Sequence, residues 1–183
     1  MLTINFNPFP NLETERLILR RVVKSDVKEI FYLRSDKEIM KYIPRPLAKT
    51  NEDALEHIAT IDATIDKNEG INWAITLKNS SKLIGIIGHY RIQPQNYRAE
   101  VGYILHPDHH GKGFIPEALK KILEYGFNEM KLHTIEAVIY PNNAASEKVL
   151  LKSGFKKEAH FIENQFYEGR FLDTVIYSLL NKS

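Results

Sequence analysis

The residues with the clearest chemical potential lie between Glu100 and Ile115, and again between Asn143 and Ser146. From Glu100, the residues Val101, Tyr103 and Leu105 alternate with Gly102 and Ile104, the period-two signature of a strand. Pro107 and Asp108 stop that strand. From Phe114 the period changes, and Ile115, Ala118, Leu119, Ile122 and Leu123 recur at helical spacing. Between strand and helix lies His110-Gly111-Lys112-Gly113. A helix start offers unpaired N–H groups and the positive end of a dipole, and glycines let a bulky anion reach the backbone. The stretch therefore reads as a place to hold phosphate, with His110 and Lys112 bordering it and Phe114 and Ile115 in the first helical turn. Lys112 reads equally well as a solvated surface charge. His106, His109 and His110 straddle a proline turn and lack an accompanying carboxylate pattern, so no metal site is expected.

Two common phosphate motifs are excluded. A Walker loop ends in Gly-Lys-Ser/Thr, whereas Lys112 is followed by Gly113. A dinucleotide fingerprint needs a third glycine and a later ribose-binding acid, and neither is present. The stretch instead resembles the acetyl-CoA loop of the GCN-five-related N-acetyltransferases, the GNAT superfamily. Gly111 and Gly113 match its two small residues, while Asp108 stands where the general pattern has Arg or Gln. The stretch resembles more closely the RimJ/RimL-type branch of ribosomal-protein N-terminal acetyltransferases. Glu100, Gly102-Tyr103, His106-Pro107, Gly111-Lys112-Gly113 and Glu117-Ala118 follow that branch's order, as does the opening Thr14-Glu15-Arg16-Leu17. A second matching segment runs from Asn142 to Leu150 and on through Lys152-Ser153-Gly154-Phe155.

The elements that must position these residues are legible in outline. A chain of 183 residues fits one domain with a proper core. Charge is only +2 and scattered, so nothing calls for a nucleic-acid surface, although a small positive balance suits a phosphate-bearing cofactor. With no cysteine, a disulfide, a thiolate nucleophile and a Cys-ligated metal are excluded, in keeping with a reducing cytoplasm. Neither a signal peptide nor an apolar run long enough to cross a bilayer is recognised. Strands are expected over residues 16–21, 73–77, 83–92, 100–106, 134–140, 155–162 and 170–180. Helices are expected after Ser25 or Asp26, from Thr50 to the Asn68-Glu69-Gly70 stop, from Phe114, and from Ala144 to Ser153, with a further turn or two over residues 37–42. Such a chain is a mixed α/β domain. The resemblance implies the acyl-CoA N-acyltransferase fold: a mostly antiparallel sheet of about seven strands, splayed at the Glu100 strand.

The same resemblance implies acetyl transfer from acetyl-CoA to a primary amine in a ternary complex. Glu100 is the candidate base, and its alternative is a salt-bridged strand glutamate. Ile104 and Leu105 lie where strand backbone can pair with the pantetheine amides. Asn143 is implied as a cofactor contact as well as an N-cap. Ser146 is implied near the leaving sulfur, as thiolate acid or cofactor contact. The tyrosine that many relatives carry four residues after that serine is Leu150 here, which leaves Tyr103, Tyr140 and Tyr167 as reserves. Met40 to Pro44 and Asn164 to Phe171 are implied as walls of the acceptor pocket. The acceptor expected is a protein N-terminal amine, with a polyamine, an aminoglycoside or a non-catalytic acyl-CoA sensor as alternatives. Both a monomer and a homodimer are compatible with the sequence.

Overall fold

The computed structural model describes residues 1–182. Its strands are β1 (Leu12–Glu13), β2 (Leu17–Arg21), β3 (Ile71–Leu77), β4 (Leu83–Gln93), β5 (Arg98–Leu105), β6 (Thr134–Ile139), β7 (Lys156–Tyr167) and β8 (Arg170–Leu180). The helices are α1 (Val27–Ser35), α2 (Asn51–Asp66), α3 (Phe114–Asn128) and α4 (Ala144–Lys152). All eight strands join one sheet in the order β1-β2-β3-β4-β5-β6-β8-β7. The β5–β6 pair is parallel and the others are antiparallel, so the expected mixed sheet is present with one strand more than anticipated. The addition is β1, too short to carry a periodic signal.

Local chemistry explains the main elements. Thr50 and Asp53 form a capping box at the start of α2, and Asn68 takes a left-handed φ of 58° just beyond its end. Asp26 precedes α1, but its carboxylate accepts from the Val23 N–H and from both Nη atoms of Arg20 instead of capping the helix. The apolar run of β4 is buried from Leu83 through His89. The α3 helix lays Ala118, Leu119 and Ile122 on the sheet, and His89 pins it there through an Nε2 contact of 2.9 Å to the Ile122 carbonyl. A carbonyl only accepts, so Nε2 carries the proton. Burial pushes the His89 pKa down to about 4, against the opposing effect of that bond, and the ring stays neutral.

Residues 37–42 form the expected successive turns, and one expectation needs correction. The strand expected to end at Ile162 runs on to Tyr167, because β7 and β8 re-pair at Gln165↔Leu172, Phe166↔Phe171 and Tyr167↔Arg170 after an irregularity. Glu163 has a φ of 49° in that irregularity, which breaks the alternation a sequence pattern relies on. No helix among the described residues is long and apolar enough to cross a membrane.

The feature that positions the site is the β5–β6 junction. The α3 crossover returns β6 beside β5, but the two pair only from Arg98–Glu100 to Thr134–Glu136. Beyond Glu100 the β6-facing edge of β5 is open. On its other edge β5 stays paired to β4 through Gly85↔Leu105, with β4 in turn close against β3. A Cβ at Gly88 would lie 2.3 Å from the Ile71 carbonyl oxygen, whereas one at Gly102 would first meet a Tyr90 ring carbon at 3.2 Å. Gly88→Ala is therefore expected to cost about 3 kcal/mol, and Gly102→Ala no more than about 1 kcal/mol. Urea unfolding of the two variants checks this, and equal losses would contradict it.

Candidate active site

The glycine loop has the conformation its residues anticipate. Gly111 and Gly113 adopt φ values of 72° and 77°, which side-chain-bearing residues rarely accept, and a Cβ at Gly111 would face open space. Gly113 is the N-cap of α3 and brings no side-chain acceptor, so the first-turn N–H groups of Phe114 and Ile115 have no side-chain cap. Pro116 has no N–H to satisfy. At the other end of the loop, His110 donates from Nε2 to the Leu105 carbonyl at 3.0 Å and ties the loop back to β5. Lys112 and His110 are both exposed at the loop surface.

A clamp absent from the sequence-based picture fixes the loop. The Glu117 carboxylate accepts from the Thr14 hydroxyl, from the Arg16 backbone N–H at 2.8 Å and from Arg16 Nε at 2.6 Å. Arg16 also donates to the Lys112 carbonyl at 3.0 Å, and its guanidinium lies 4.7 Å from the centre of the Phe114 ring. Burial would raise the Glu117 pKa, but these hydrogen bonds together hold it below its ordinary value.

Glu100 sits where β5 parts from β6. Its side chain is 17% exposed and accepts a 2.7 Å bond from Arg91, which is itself 72% exposed. Burial raises its pKa, Arg91 opposes this, and the neighbouring Glu136 adds to the rise. Tyr90 stands opposite it on β4, and burial pushes that phenol up to about 12. Glu136 is engaged by Arg98 at 3.0 Å.

Tyr103 lies three residues beyond Glu100 and therefore on the opposite face of β5. Its buried hydroxyl has no hydrogen-bond partner, and the same holds for Tyr140 at the end of β6. The Tyr103 hydroxyl approaches Ser146 closely enough to affect its ionisation, though without the geometry of a made bond. Burial raises its pKa and Ser146 opposes the rise. Asn143 caps α4, its Oδ1 accepting from the Ser146 N–H at 3.2 Å, which leaves its amide nitrogen uncommitted to the cap. Leu150 is fully buried, so the position of the missing tyrosine belongs to the core.

The expected residues thus fall into three neighbouring groups. The loop holds His110, Gly111, Lys112, Gly113, Phe114 and Ile115, the strand holds Glu100, Ile104 and Leu105, and α4 holds Asn143 and Ser146. One detail of the strand differs from expectation. His106 donates its N–H to Ile84 at 2.8 Å, so by alternation Ile104 also turns its backbone to β4. The open edge is made by Val101, Tyr103 and Leu105, whose carbonyl His110 already occupies. Thr14, Arg16, Arg34, Arg45 and Arg91 received no role from sequence, because a lone cation or hydroxyl carries no signal of what it will touch.

Comparison with known proteins agrees with this geometry. The acetyltransferase (GNAT) domain family matches residues 16–156. The uncharacterised N-acetyltransferase YoaA of Bacillus subtilis is 37% identical over 172 residues, covering 94% of this chain and 97% of its own. The ribosomal-protein-serine acetyltransferase of Escherichia coli is 31% identical over 97 residues, covering 53% of this chain and 54% of its own. The structure of spermidine N-acetyltransferase from Vibrio cholerae, in complex with CoA and spermine, superposes with a TM-score of 0.79 at 27% identity, covering 90% of this chain and 95% of that one.

Two variants separate loop geometry from loop chemistry. Glu117→Gln is expected to lower stability by about 1–3 kcal/mol, or roughly 3–10 °C in melting temperature. Because the fold lowers the Glu117 pKa, that deficit is full above the ordinary carboxylate pKa and closes as pH falls through the depressed one. Gly111→Asp is expected to leave the unliganded melting temperature within a few degrees of the wild type while abolishing its rise on adding CoA. Retained CoA stabilisation in Gly111→Asp would remove the loop from the binding site.

Proposed function

Because the chain belongs to the GNAT acetyltransferase family and is an acetyl-CoA-dependent N-acetyltransferase, we propose that its acceptor is a protein N-terminal amine and that Glu100 is the general base. The observation that carries this reading is the opening beyond Glu100, where a half-buried carboxylate of raised pKa borders an unpaired strand edge.

The residues present fit acetyl-CoA. The uncapped first turn of α3 accommodates the pyrophosphate, the Val101–Tyr103 edge offers backbone groups to the pantetheine, and unpartnered tyrosine hydroxyls lie near the thiol end. The thioester supplies an activated acetyl group. In the reaction the amine nitrogen bonds to the thioester carbon, the carbon–sulfur bond breaks, and the products are an amide and CoA thiol. Glu100, directly or through one water, takes the proton that the amine loses. Ser146 is the proposed donor to the departing sulfur, with Tyr103 and Tyr140 behind it. Burial keeps both phenols protonated at neutral pH. Glu100 and Tyr103 point to opposite faces of β5, so base and acid flank the reacting carbon from the two sides of the sheet.

For the acceptor, the partial relationship to a ribosomal-protein acetyltransferase supports a peptide. A polyamine is the second reading, because the solved spermidine N-acetyltransferase is also similar. Glu100 and Glu136 each have an arginine partner and Glu147 accepts from the Tyr177 hydroxyl, which favours the peptide over a polycation.

A thiol-release assay with acetyl-CoA against N-terminal peptides, spermidine and aminoglycosides tests the assignment. Thiol release with peptides is expected, and release with polycations alone would overturn it. Glu100→Gln should lower kcat by about 10²–10⁴ with CoA binding retained. Arg91→Ala removes the cation that opposes the raised pKa, so the acidic limb of the kcat/KM profile should move to higher pH. A limb that stays in place would exclude Glu100 as the titrating group.

A further inference from the structure

The segment between α1 and α2 carries two arginines that the mechanism above does not use. Arg34 lies in the last turn of α1 and is half-buried, and its carbonyl accepts from the Ala48 N–H at 2.9 Å, which folds the segment back on the helix. Arg45 is exposed within that segment. The Tyr42 hydroxyl donates to the Asn142 carbonyl at 3.1 Å, so the segment reaches across to the start of α4, beside Asn143 and Ser146. The segment therefore lies beside the opening, and Arg45 is close enough to act on Glu100.

Their surroundings are unusual for cations. Arg91 and Arg98, the other arginines around the opening, each hold a carboxylate at 2.7 and 3.0 Å. Among the described residues, neither Arg34 nor Arg45 has an ion-pair or side-chain hydrogen-bond partner. They are close enough to repel one another, and burial together with that repulsion lowers the Arg34 pKa. From α2, His57 faces both of them. Burial and the two guanidiniums push its pKa to about 4, so it is neutral and adds no negative charge. Tyr90 and Tyr167 complete the surroundings of Arg34, and both are neutral phenols at pH 7. Arg45 acts on Glu100, and Arg91 already occupies that carboxylate. Two guanidiniums kept together without a counter-charge lose free energy that a bound anion restores.

We propose that Arg34 and Arg45 form an anion subsite for a carboxylate borne by the acceptor, so that the enzyme selects acidic amines over polycationic ones. This rests on the transferase reading above and narrows its acceptor class. The carboxylate can belong to a residue just after the N-terminus of a peptide or to a free amino acid, and the test separates these sources.

The experiment measures kcat/KM for tripeptide amides that share one N-terminal residue and carry Glu, Gln or Lys second, beside free glutamate and spermidine. The wild type should favour the Glu peptide over the Lys peptide by about ten- to a hundredfold, the scale of charge-assisted contacts. Arg34→Gln should erase most of that preference and Arg45→Glu should reverse it, while both variants keep the CoA-induced rise in melting temperature. A lead for free glutamate over the Glu peptide would support the subsite and assign it to small amino acids. Equal use of the Glu and Lys peptides, or a preference that survives in both variants, overturns the subsite alone. Transfer to no amine overturns the proposed function and the subsite with it.

Discussion

Three residues of parallel pairing, Arg98–Glu100 against Thr134–Glu136, hold the two halves of the sheet together. The site depends on that pairing being short. A longer ladder would satisfy the backbone of Val101 and Tyr103 and leave no edge for a ligand, whereas none at all would let the halves separate. The ion pairs are placed accordingly. Arg98 engages Glu136 across the paired stretch, and Arg91 engages Glu100 at its last residue. Past that residue the β5–β6 pairing ends. The catalytic geometry is thus a property of sheet topology first and of side chains second.

The glycine loop shows how a flexible sequence becomes a fixed receptor. Left-handed glycines permit the bend but do not hold it. Rigidity comes from outside, through His110 on the Leu105 carbonyl and through Glu117, which gathers Thr14, the Arg16 backbone and the Arg16 guanidinium. The Thr14–Arg16 segment at the start of the chain and Glu117 in the central helix are about a hundred residues apart, yet they form one device. The sequence resemblance recorded both ends of it without revealing why they belong together.

Much of the fold was legible because its signals are local. The Thr50 capping box, the left-handed Asn68 after α2, the apolar run of β4 and the switch from period two to helical spacing around Phe114 each depend on a few neighbouring residues. The lengthened β7 was hidden because Glu163 takes a left-handed conformation and interrupts alternation, so the pattern fails where the pairing resumes. In the site, loop and cap residues could be named from type and spacing. The facing direction of Ile104 could not, since it depends on register with β4, and no arginine could be sorted into paired or unpaired without the tertiary structure.

That sorting matters for how the site works. Arg16 and Arg91 are fixed by carboxylates, one holding the glycine loop and the other restraining the proposed base. Restraint of Glu100 is a balance. Burial and Glu136 favour its protonated form, which cannot accept a proton, while Arg91 favours the ionised form. An amine that arrives as an ammonium ion must lose one proton before it attacks and another as the amide forms. A carboxylate whose basicity is raised by burial and tempered by an arginine suits both transfers. Arg34 and Arg45 have no such partner, and in the proposed subsite their field bears on the entering amine. A polycation approaching Glu100 would meet that field at full cost, whereas an acceptor carrying its own carboxylate brings the compensating charge with it.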